Sequence, residues 1–269
     1  MPYANNNGVK VYYEVEGEGP PMVLAHALMG SISSWRRDGY VDALKADFKL
    51  IMIDARGRGR SDKPHEASAC DYHLMANDVL KVLDELEIPK AYYFGYSMGA
   101  RVGFLLATRY KKRFRGFIFG GMTPYNIPKA AVTAFRDNIG AFKLLQTDPE
   151  AYLQRLESRY GRPLTPEEKK AYLAQDSETL IAMHTAFLDS PSLTEKDLKS
   201  ISLPCLVFCG ELDEGGFHPG AKESASHIPA AQFVSFANLG HYQTGARSDL
   251  VVPHIKEFLA GVDKVKKDA

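Results

Sequence analysis

The sequence predicts an α/β protein with a mostly parallel, doubly wound sheet that carries helices on both faces. Short apolar runs typical of buried strands alternate with longer runs of helical spacing through residues 1–122. The alternation stops over residues 123–200, where the patterns are helical, and it resumes after residue 201. Such alternation is typical of parallel sheets. The middle segment, where the alternation is interrupted, is therefore expected to be a helical insertion before the last strands.

The first part of the chain begins with Val9–Glu16, whose alternating apolar residues predict an edge strand. Short apolar runs predict buried strands at Met22–Ala25, Lys49–Ile53, Ala91–Phe94 and Arg115–Gly120. Apolar residues at helical spacing predict helices at Ser31–Lys45, Tyr72–Leu86 and Ala100–Ala107. Each of these helices connects two predicted strands, as a parallel arrangement requires.

Prolines divide the helical insertion into shorter segments. Helical spacing is present at Val132–Leu145, Glu150–Tyr160, Pro166–Ala174 and Glu178–Leu188. After the insertion, strands are predicted at Cys205–Cys209 and Gln232–Ala237, and helices at Ala221–His227 and Leu250–Val262. The last part of the chain therefore returns to the pattern of the first part.

The composition is typical of a soluble globular protein, with 45% hydrophobic and 25% charged residues among 269 and a formal net charge of zero. Balanced charge does not favour nucleic acid or an anionic membrane as a partner. No run approaches the roughly 20 apolar residues of a membrane span, and no secretion signal is present, so a cytoplasmic location is expected. Cys70, Cys205 and Cys209 are expected to be free thiols, and no His or Cys spacing indicates a metal site.

The segment Gly95-Tyr96-Ser97-Met98-Gly99 joins a predicted strand to a predicted helix and carries the G-x-S-x-G pattern. In such a turn the serine hydroxyl stands clear of the backbone, and the two glycines let strand and helix pass closely. The start of the helix also directs free N–H groups at any charge that develops near the serine. Ser97 is therefore the candidate nucleophile.

A serine nucleophile needs a base and an acid, and candidates follow the last two predicted strands. Asp213 follows one of these strands, with Glu211 and Glu214 as rivals, and His241 follows the other. Sites in open α/β sheets form at the carboxyl ends of the strands. The serine, the acid and the histidine are therefore expected to meet at one edge of the sheet.

Five short segments carry a resemblance to a known family. They are His26-Ala27-Leu28-Met29-Gly30, Asp54-x-Arg56-Gly57-x-Gly59-x-Ser61-Asp62, Gly95–Gly99, Gly210-Glu211-Leu212-Asp213 and Gly240-His241. With these segments in this order, the chain resembles the α/β-hydrolase superfamily over essentially its full length, as a capped serine hydrolase of esterase, lactonase or haloperoxidase type. The resemblance implies an α/β-hydrolase core formed by residues 1–122 and 201–269, with residues 123–200 as a helical cap.

The resemblance also implies a role for each motif residue. Ser97 would be the nucleophile, His241 the base, and Asp213, selected by the G-x-x-D pattern, the acid of a catalytic triad. The backbone N–H groups of Leu28 and Met98 would form the oxyanion hole. The sequence departs from the family pattern where an alanine follows the first motif histidine, and where two glycines follow the acidic pair at 213 and 214.

Two further motif segments are expected to support the site. His26 matches the family histidine that organises its loop and transfers no proton. The loop Asp54–Asp62 contains three arginines but lacks the pattern of a phosphate-binding loop. In the family this loop mainly supports the active site, and the same role is expected here.

The residues that flank the predicted site are mostly apolar, and they predict a substrate pocket formed by Met29, Trp35, Tyr96, Met122 and Tyr242. Basic and acidic residues are nearly balanced across the predicted cap. An unpaired charge is costly to bury, so the expected partner is a small, mainly neutral acyl substrate.

The predicted function is a serine hydrolase that cleaves a carboxylic ester, thioester or lactone through an acyl-enzyme on Ser97, with no metal or organic cofactor. One alternative is a cofactor-free perhydrolase of the haloperoxidase type. Another is an acyltransferase, since His26-Ala27-Leu28-x-Gly30 resembles the homoserine acyltransferases. An alternative of another class is a small-molecule receptor that retains the triad.

Overall fold

Eight strands form a single sheet in the computed structural model, which describes residues 2–267 and the side-chain contacts of residues 2–158 and 161–262. The strands are β1 (Tyr3–Asn6), β2 (Val9–Glu16), β3 (Pro21–Ala25), β4 (Lys49–Ile53), β5 (Ala91–Tyr96), β6 (Phe114–Gly120), β7 (Cys205–Gly210) and β8 (Ala231–Phe236). Their order across the sheet is β1-β2-β4-β3-β5-β6-β7-β8. Strand β2 pairs antiparallel with β1 and β4, and the strands from β4 to β8 are parallel.

The predicted edge strand lies one position inside the sheet. Val9–Glu16 forms β2 as expected, but β1 pairs with it and takes the edge. The two strands are joined by Asn7 and Gly8, which both have positive φ, at 54° and 90°. An Asn-Gly pair with this backbone is the preferred turn of a two-residue β-hairpin, so the prediction of an edge strand was wrong because this signal was overlooked.

Helices cover both faces of the sheet. They are α1 (Ile32–Arg37), α2 (Tyr40–Leu44), α3 (Tyr72–Glu85), α4 (Met98–Arg109), α5 (Lys129–Thr147), α6 (Pro149–Tyr160), α7 (Pro166–Leu173), α8 (Ser177–Leu188), α9 (Glu195–Lys199), α10 (Phe217–His227), α11 (His241–Gly245) and α12 (Ser248–Lys267). The single helix predicted at Ser31–Lys45 is two short helices. Gly39, with φ at 81°, turns the chain between them, in a left-handed conformation that interrupts a helix.

Alternate residues of the central strands face two different apolar cores. Val23, Ile51 and Tyr93 pack with α3 and α4 on one face of the sheet. The next residue in each strand faces the other way, so that Leu24 and Phe94 pack with α1, α2 and α12. A parallel sheet with helices on both faces is the doubly wound α/β architecture that the sequence predicts.

The chain between β6 and β7 forms α5–α9, and the described backbone of residues 123–200 contains no strand. Helices α5, α6 and α8 share a small apolar cluster that includes Phe142, Tyr152 and Leu180. This helical segment lies before the last strands, as predicted. Its treatment as a separate cap with boundaries at residues 123 and 200 stays a prediction.

Candidate active site

Ser97 lies between β5 and α4 with φ at 52° and ψ at −112°, a backbone conformation that is rare for residues other than glycine. The turn brings strand and helix very close. A Cβ atom on Gly99 would lie 2.1 Å from the carbonyl oxygen of Ala25, and one on Gly95 would lie 2.4 Å from the backbone of Gly99. Both glycines are therefore required by the close approach, and they hold Ser97 in a tight, strained turn.

The structure brings the predicted triad together at the carboxyl ends of β5, β7 and β8. The Nε2 atom of His241 lies 2.9 Å from Oγ of Ser97, and its Nδ1 atom lies 2.7 Å from Oδ2 of Asp213. An ionised carboxylate only accepts hydrogen bonds, so Nδ1 donates to Asp213. In neutral histidine, Nε2 is then free to accept the proton of the Ser97 hydroxyl, which is the arrangement of a serine nucleophile and its base.

Three carboxylates near the site have different roles. The side chain of Asp213 is fully buried and accepts a second hydrogen bond from the N–H group of Gly215, at 3.0 Å. Glu214 accepts from the backbone N–H group of His241, at 2.8 Å, and so holds the histidine by its main chain. Glu211 accepts from the hydroxyl of Ser235. Of the three carboxylates, only Asp213 bonds to the imidazole of His241. Gly215, the glycine that follows Glu214, supports the carboxylate of Asp213.

Aromatic side chains hold the imidazole of His241 in place. The hydroxyl of Tyr96 donates to the carbonyl oxygen of His241, at 2.5 Å, and the two rings are 5.5 Å apart. The ring of Phe217 is 5.6 Å from the imidazole. Burial raises the pKa of Tyr96 well above its usual value, so this hydroxyl remains a donor at neutral pH.

The loop after β3 is held by hydrogen bonds to its carbonyl groups. His26 donates from Nδ1 to the carbonyl oxygen of Ala27, while its Nε2 atom accepts from the N–H group of Ala55, at 3.0 Å. Arg58 donates to the carbonyl oxygens of Met29 and Gly30. Burial lowers the pKa of His26 to about 4, so a neutral ring links the loops after β3 and β4.

Leu28 and Met98 are the two residues predicted to form the oxyanion hole. Leu28 is in the loop after β3, and Met98 is the first residue of α4, directly after Ser97. The first N–H groups of a helix have no acceptor within the helix, so that of Met98 is available to an oxyanion. Their use as a donor pair stays a prediction.

A cavity of about 620 Å³ opens beside Ser97 and His241. Four of the five residues predicted to form the substrate pocket line it: Met29, Trp35, Tyr96 and Tyr242. The prediction for Met122 was wrong. This residue is fully buried in the apolar core on the α3 and α4 face and is not part of the cavity lining.

Several residues that line the cavity were not predicted from the sequence, and five of them come from α5 and α8. On α5 they are Ala131, Ala134, Phe135 and Asn138. Their spacing of three, four and seven residues places them on one face of the helix, and this is the signal that was available in the sequence. His184 of α8 lines the same cavity. The two helices therefore form its roof.

The arginines of the 54–62 loop are engaged in structural contacts. Arg56 is buried and forms a two-pronged ion pair with Asp78, at 2.7 and 2.6 Å. Arg60 bonds to the hydroxyl of Tyr12, at 2.5 Å, and Arg58 holds the loop after β3. None of the three guanidinium groups lines the cavity in the part of the chain that the structure describes, which agrees with the expected supporting role of this loop.

The buried thiols of Cys70, Cys205 and Cys209 are free, as expected. Among the side chains of residues 2–158 and 161–262, no group of three His, Cys, Asp or Glu residues has the arrangement needed to hold a metal ion. No helix in the same residues is both long enough and apolar enough to cross a membrane.

Comparison with known proteins supports the α/β-hydrolase fold. Residues 20–137 match the family model described as alpha/beta hydrolase fold. The AB hydrolase superfamily protein YisY of Bacillus subtilis is 26% identical, with 87% of this chain and 89% of that protein covered. Two solved structures share the fold. A thermophilic esterase from Thermogutta terrifontis is 24% identical, with a TM-score of 0.77 and 97% of both chains covered. The enol-lactonase from Burkholderia xenovorans is 24% identical, with a TM-score of 0.75 and with 96% of this chain and 100% of that chain covered. With the sheet order and the turn at Ser97, these matches show that the chain has the α/β-hydrolase fold and is similar to proteins of that superfamily.

Proposed function

We propose that this protein is a serine hydrolase that cleaves a neutral carboxylic ester, thioester or lactone. The observation that carries the proposal is the continuous pair of hydrogen bonds from Ser97 through His241 to Asp213 at the wall of a large cavity. The fold alone does not decide the reaction, since one fold supports many activities. The two solved relatives named above, an esterase and a lactonase, cleave bonds of the proposed kind.

The reaction would proceed in two steps. Oγ of Ser97 attacks the acyl carbon while His241 takes its proton on Nε2, and the N–H groups of Leu28 and Met98 stabilise the oxyanion. The C–O or C–S bond to the leaving group breaks, and His241 gives the proton to that group. A water molecule then loses a proton to His241, attacks the acyl-enzyme and releases the carboxylic acid, which restores the Ser97 hydroxyl.

The charges around the cavity favour a neutral substrate. Arg37 and Asp38 line it but pair with each other, at 2.8 and 3.0 Å. Glu214 adds a carboxylate to the lining, next to the backbone of His241. A buried carboxylate or phosphate of a substrate would find no free cationic side chain among the described residues of this lining, and burial of an unpaired charge is very costly.

Replacement of Ser97 by alanine tests the mechanism. Ser97→Ala should lower kcat/KM for a p-nitrophenyl ester by roughly 10⁴-fold or more, because the triad acts as a unit. Ser224→Ala, which removes a buried hydroxyl outside the cavity, is the matched control and should remain active. Equal activity of Ser97→Ala and the wild type would exclude this serine as the nucleophile.

A series of p-nitrophenyl esters from acetate upward tests the substrate class. Each methylene that fits the cavity should contribute about 0.8 kcal/mol, so kcat/KM should rise with chain length until α5 and α8 limit the fit. A lactone that carries a carboxylate serves as the charged comparison. Strong preference for that lactone would contradict the proposal of a neutral substrate.

A further inference from the structure

The roof of the cavity contains a histidine that the proposed mechanism does not use. His184 lies on α8, is only 1% exposed and lines the cavity. Its ring packs against Phe135 and Phe142, with ring centroids 5.1 and 5.0 Å away. These contacts fix the plane of the imidazole, so its two nitrogen atoms have defined directions.

The hydrogen bonding of His184 determines its tautomer. The Nδ1 atom lies 2.7 Å from the carbonyl oxygen of Leu180. A carbonyl oxygen only accepts, so Nδ1 carries the proton. Burial, and to a smaller extent the charge of Arg58, lower the pKa of His184 to about 4, which leaves the ring neutral at pH 7. Nε2 is then a lone-pair acceptor, and within the described residues no protein donor bonds to it.

We propose that Nε2 of His184 accepts a hydrogen bond from the substrate. The preferred substrate then carries a neutral donor, a hydroxyl or an amide N–H group, on the part that lies beneath α5 and α8. This inference rests on the proposed hydrolase function and narrows its substrate class.

The surroundings of the imidazole explain why the donor should be neutral and why it should matter. Ala131, Ala134 and Phe135 line the same roof and offer no side-chain donor, whereas Asn138, which also lines it, carries a polar amide. Arg58 already places a positive charge near His184, which disfavours a substrate ammonium group. A site that holds a buried acceptor discriminates against analogues that lack the matching donor, because the acceptor is then left unpaired.

Matched pairs of esters test the proposal. In one arm, p-nitrophenyl hexanoates carry a hydroxyl at successive carbons, each beside its methyl ether. In the other arm, an acetamido group replaces the hydroxyl, each beside its N-methyl form. We expect one position at which kcat/KM of the donor ester exceeds that of its blocked partner about tenfold. The arm in which this occurs identifies the donor as a hydroxyl or an amide.

Variants of His184 assign the preference to this side chain. In His184→Leu, kcat/KM of the donor ester divided by that of its blocked partner should fall to about one. His184→Gln, whose side chain retains an acceptor oxygen, should keep part of the preference for the donor ester. His73→Leu makes the same replacement on α3, outside the cavity lining, and should keep the wild-type ratio. Ratios near one at every position in the wild type, or an unchanged ratio in His184→Leu, would overturn the proposal.

Binding to a catalytically disabled variant separates the two proposals. The corresponding ethyl esters are titrated into Ser97→Ala by calorimetry, where the donor ester should bind about tenfold more tightly than its blocked partner. This preference in binding, without Ser97-dependent hydrolysis by the wild type, would support the role of His184 and refute the hydrolase mechanism. Hydrolysis by the wild type with equal binding of the two partners would support the hydrolase mechanism and refute the role of His184.

Discussion

Neighbouring carboxylates in the loop after β7 perform different tasks. Asp213 is buried and bonds to the imidazole of His241, whereas Glu214 bonds to the backbone N–H group of the same residue. The first contact fixes the tautomer and stabilises the imidazolium, and the second only positions the main chain. Two adjacent acids that the sequence could not fully distinguish are thus separated by which atom of His241 they contact.

Amide replacements of the two acids should have very different effects. Asp213→Asn should lower kcat by roughly 10⁴-fold, because an amide at this position no longer holds Nδ1 of His241 as the donor. Glu214→Gln keeps an acceptor for the backbone N–H group and should cost less than about tenfold. Steady-state kinetics on one neutral ester compares them, and a larger loss in Glu214→Gln would refute the assignment of Asp213.

Helix α4 connects the nucleophile turn with the segment that forms the cavity roof. Arg101, three residues beyond Met98, is 2% exposed and has no carboxylate partner among the described residues. Its guanidinium donates to the carbonyl oxygens of Thr123 and Tyr125, where the helical segment begins, and to Ser190 near its end. One side chain thus joins the chain before α5 to the chain between α8 and α9.

Removal of this guanidinium should loosen the roof. Arg101→Met leaves buried carbonyl groups without donors, and we expect the free energy of unfolding to fall by roughly 3 kcal/mol. KM for a medium-chain ester should rise more than kcat falls, since in the proposed function the roof would contact the substrate and not the three proposed catalytic residues. Urea denaturation and steady-state kinetics measure the two effects. Replacement of the exposed Arg109 on the same helix, Arg109→Met, is the control. An equally small change in stability and in KM for both replacements would contradict the role of Arg101 in holding the roof.

Two buried neutral histidines connect the stability of the protein to pH. Burial lowers the pKa of both His26 and His184 to about 4, whereas an unfolded histidine titrates near 6.5. Between these values the unfolded chain binds protons that the folded chain does not. Their contribution to stability is therefore complete above about pH 6.5 and is lost as the pH falls towards 4.

The exposed His65 should act in the opposite direction. It lies 3.0 Å from Asp176 and 2.7 Å from Glu178, both near the start of α8, and the hydrogen bond to Asp176 raises its pKa. Its contribution is present below the unfolded pKa of about 6.5 and is lost as the pH rises through the higher folded value. The ion pair of His65 with Asp176 is largely solvent-exposed, so the two buried histidines should dominate the pH dependence of stability.

Urea denaturation between pH 7.5 and 4.5 tests this prediction. The free energy of unfolding should fall as the pH decreases below about 6.5, by up to roughly 3 kcal/mol for each buried histidine. In His184→Leu the decrease should be about half as steep, because only His26 remains. A decrease of the same slope in the variant and the wild type would show that His184 is not buried in its neutral form.

Local patterns in the sequence were sufficient for the order of most elements, and the resemblance to the α/β hydrolases was needed as well to predict that Ser97, Asp213 and His241 meet. The reason is that the turn, the parallel strands and the strand ends are encoded by short segments. Met122 was misplaced because its position after a strand does not reveal which side of the sheet its side chain enters. His184 was missed because the cavity roof depends on how α5 and α8 pack together. Their contacts are between residues far apart in the sequence.

Covalent labelling can show whether Ser97 is the nucleophile. The protein is treated with a fluorophosphonate, and the adduct is located by intact-mass measurement and peptide mapping. We expect a single adduct on Ser97, formed in step with the loss of esterase activity, and no adduct on Ser97→Ala. An adduct on another residue that abolishes activity, or full inactivation with Ser97 unmodified, would contradict this role of Ser97.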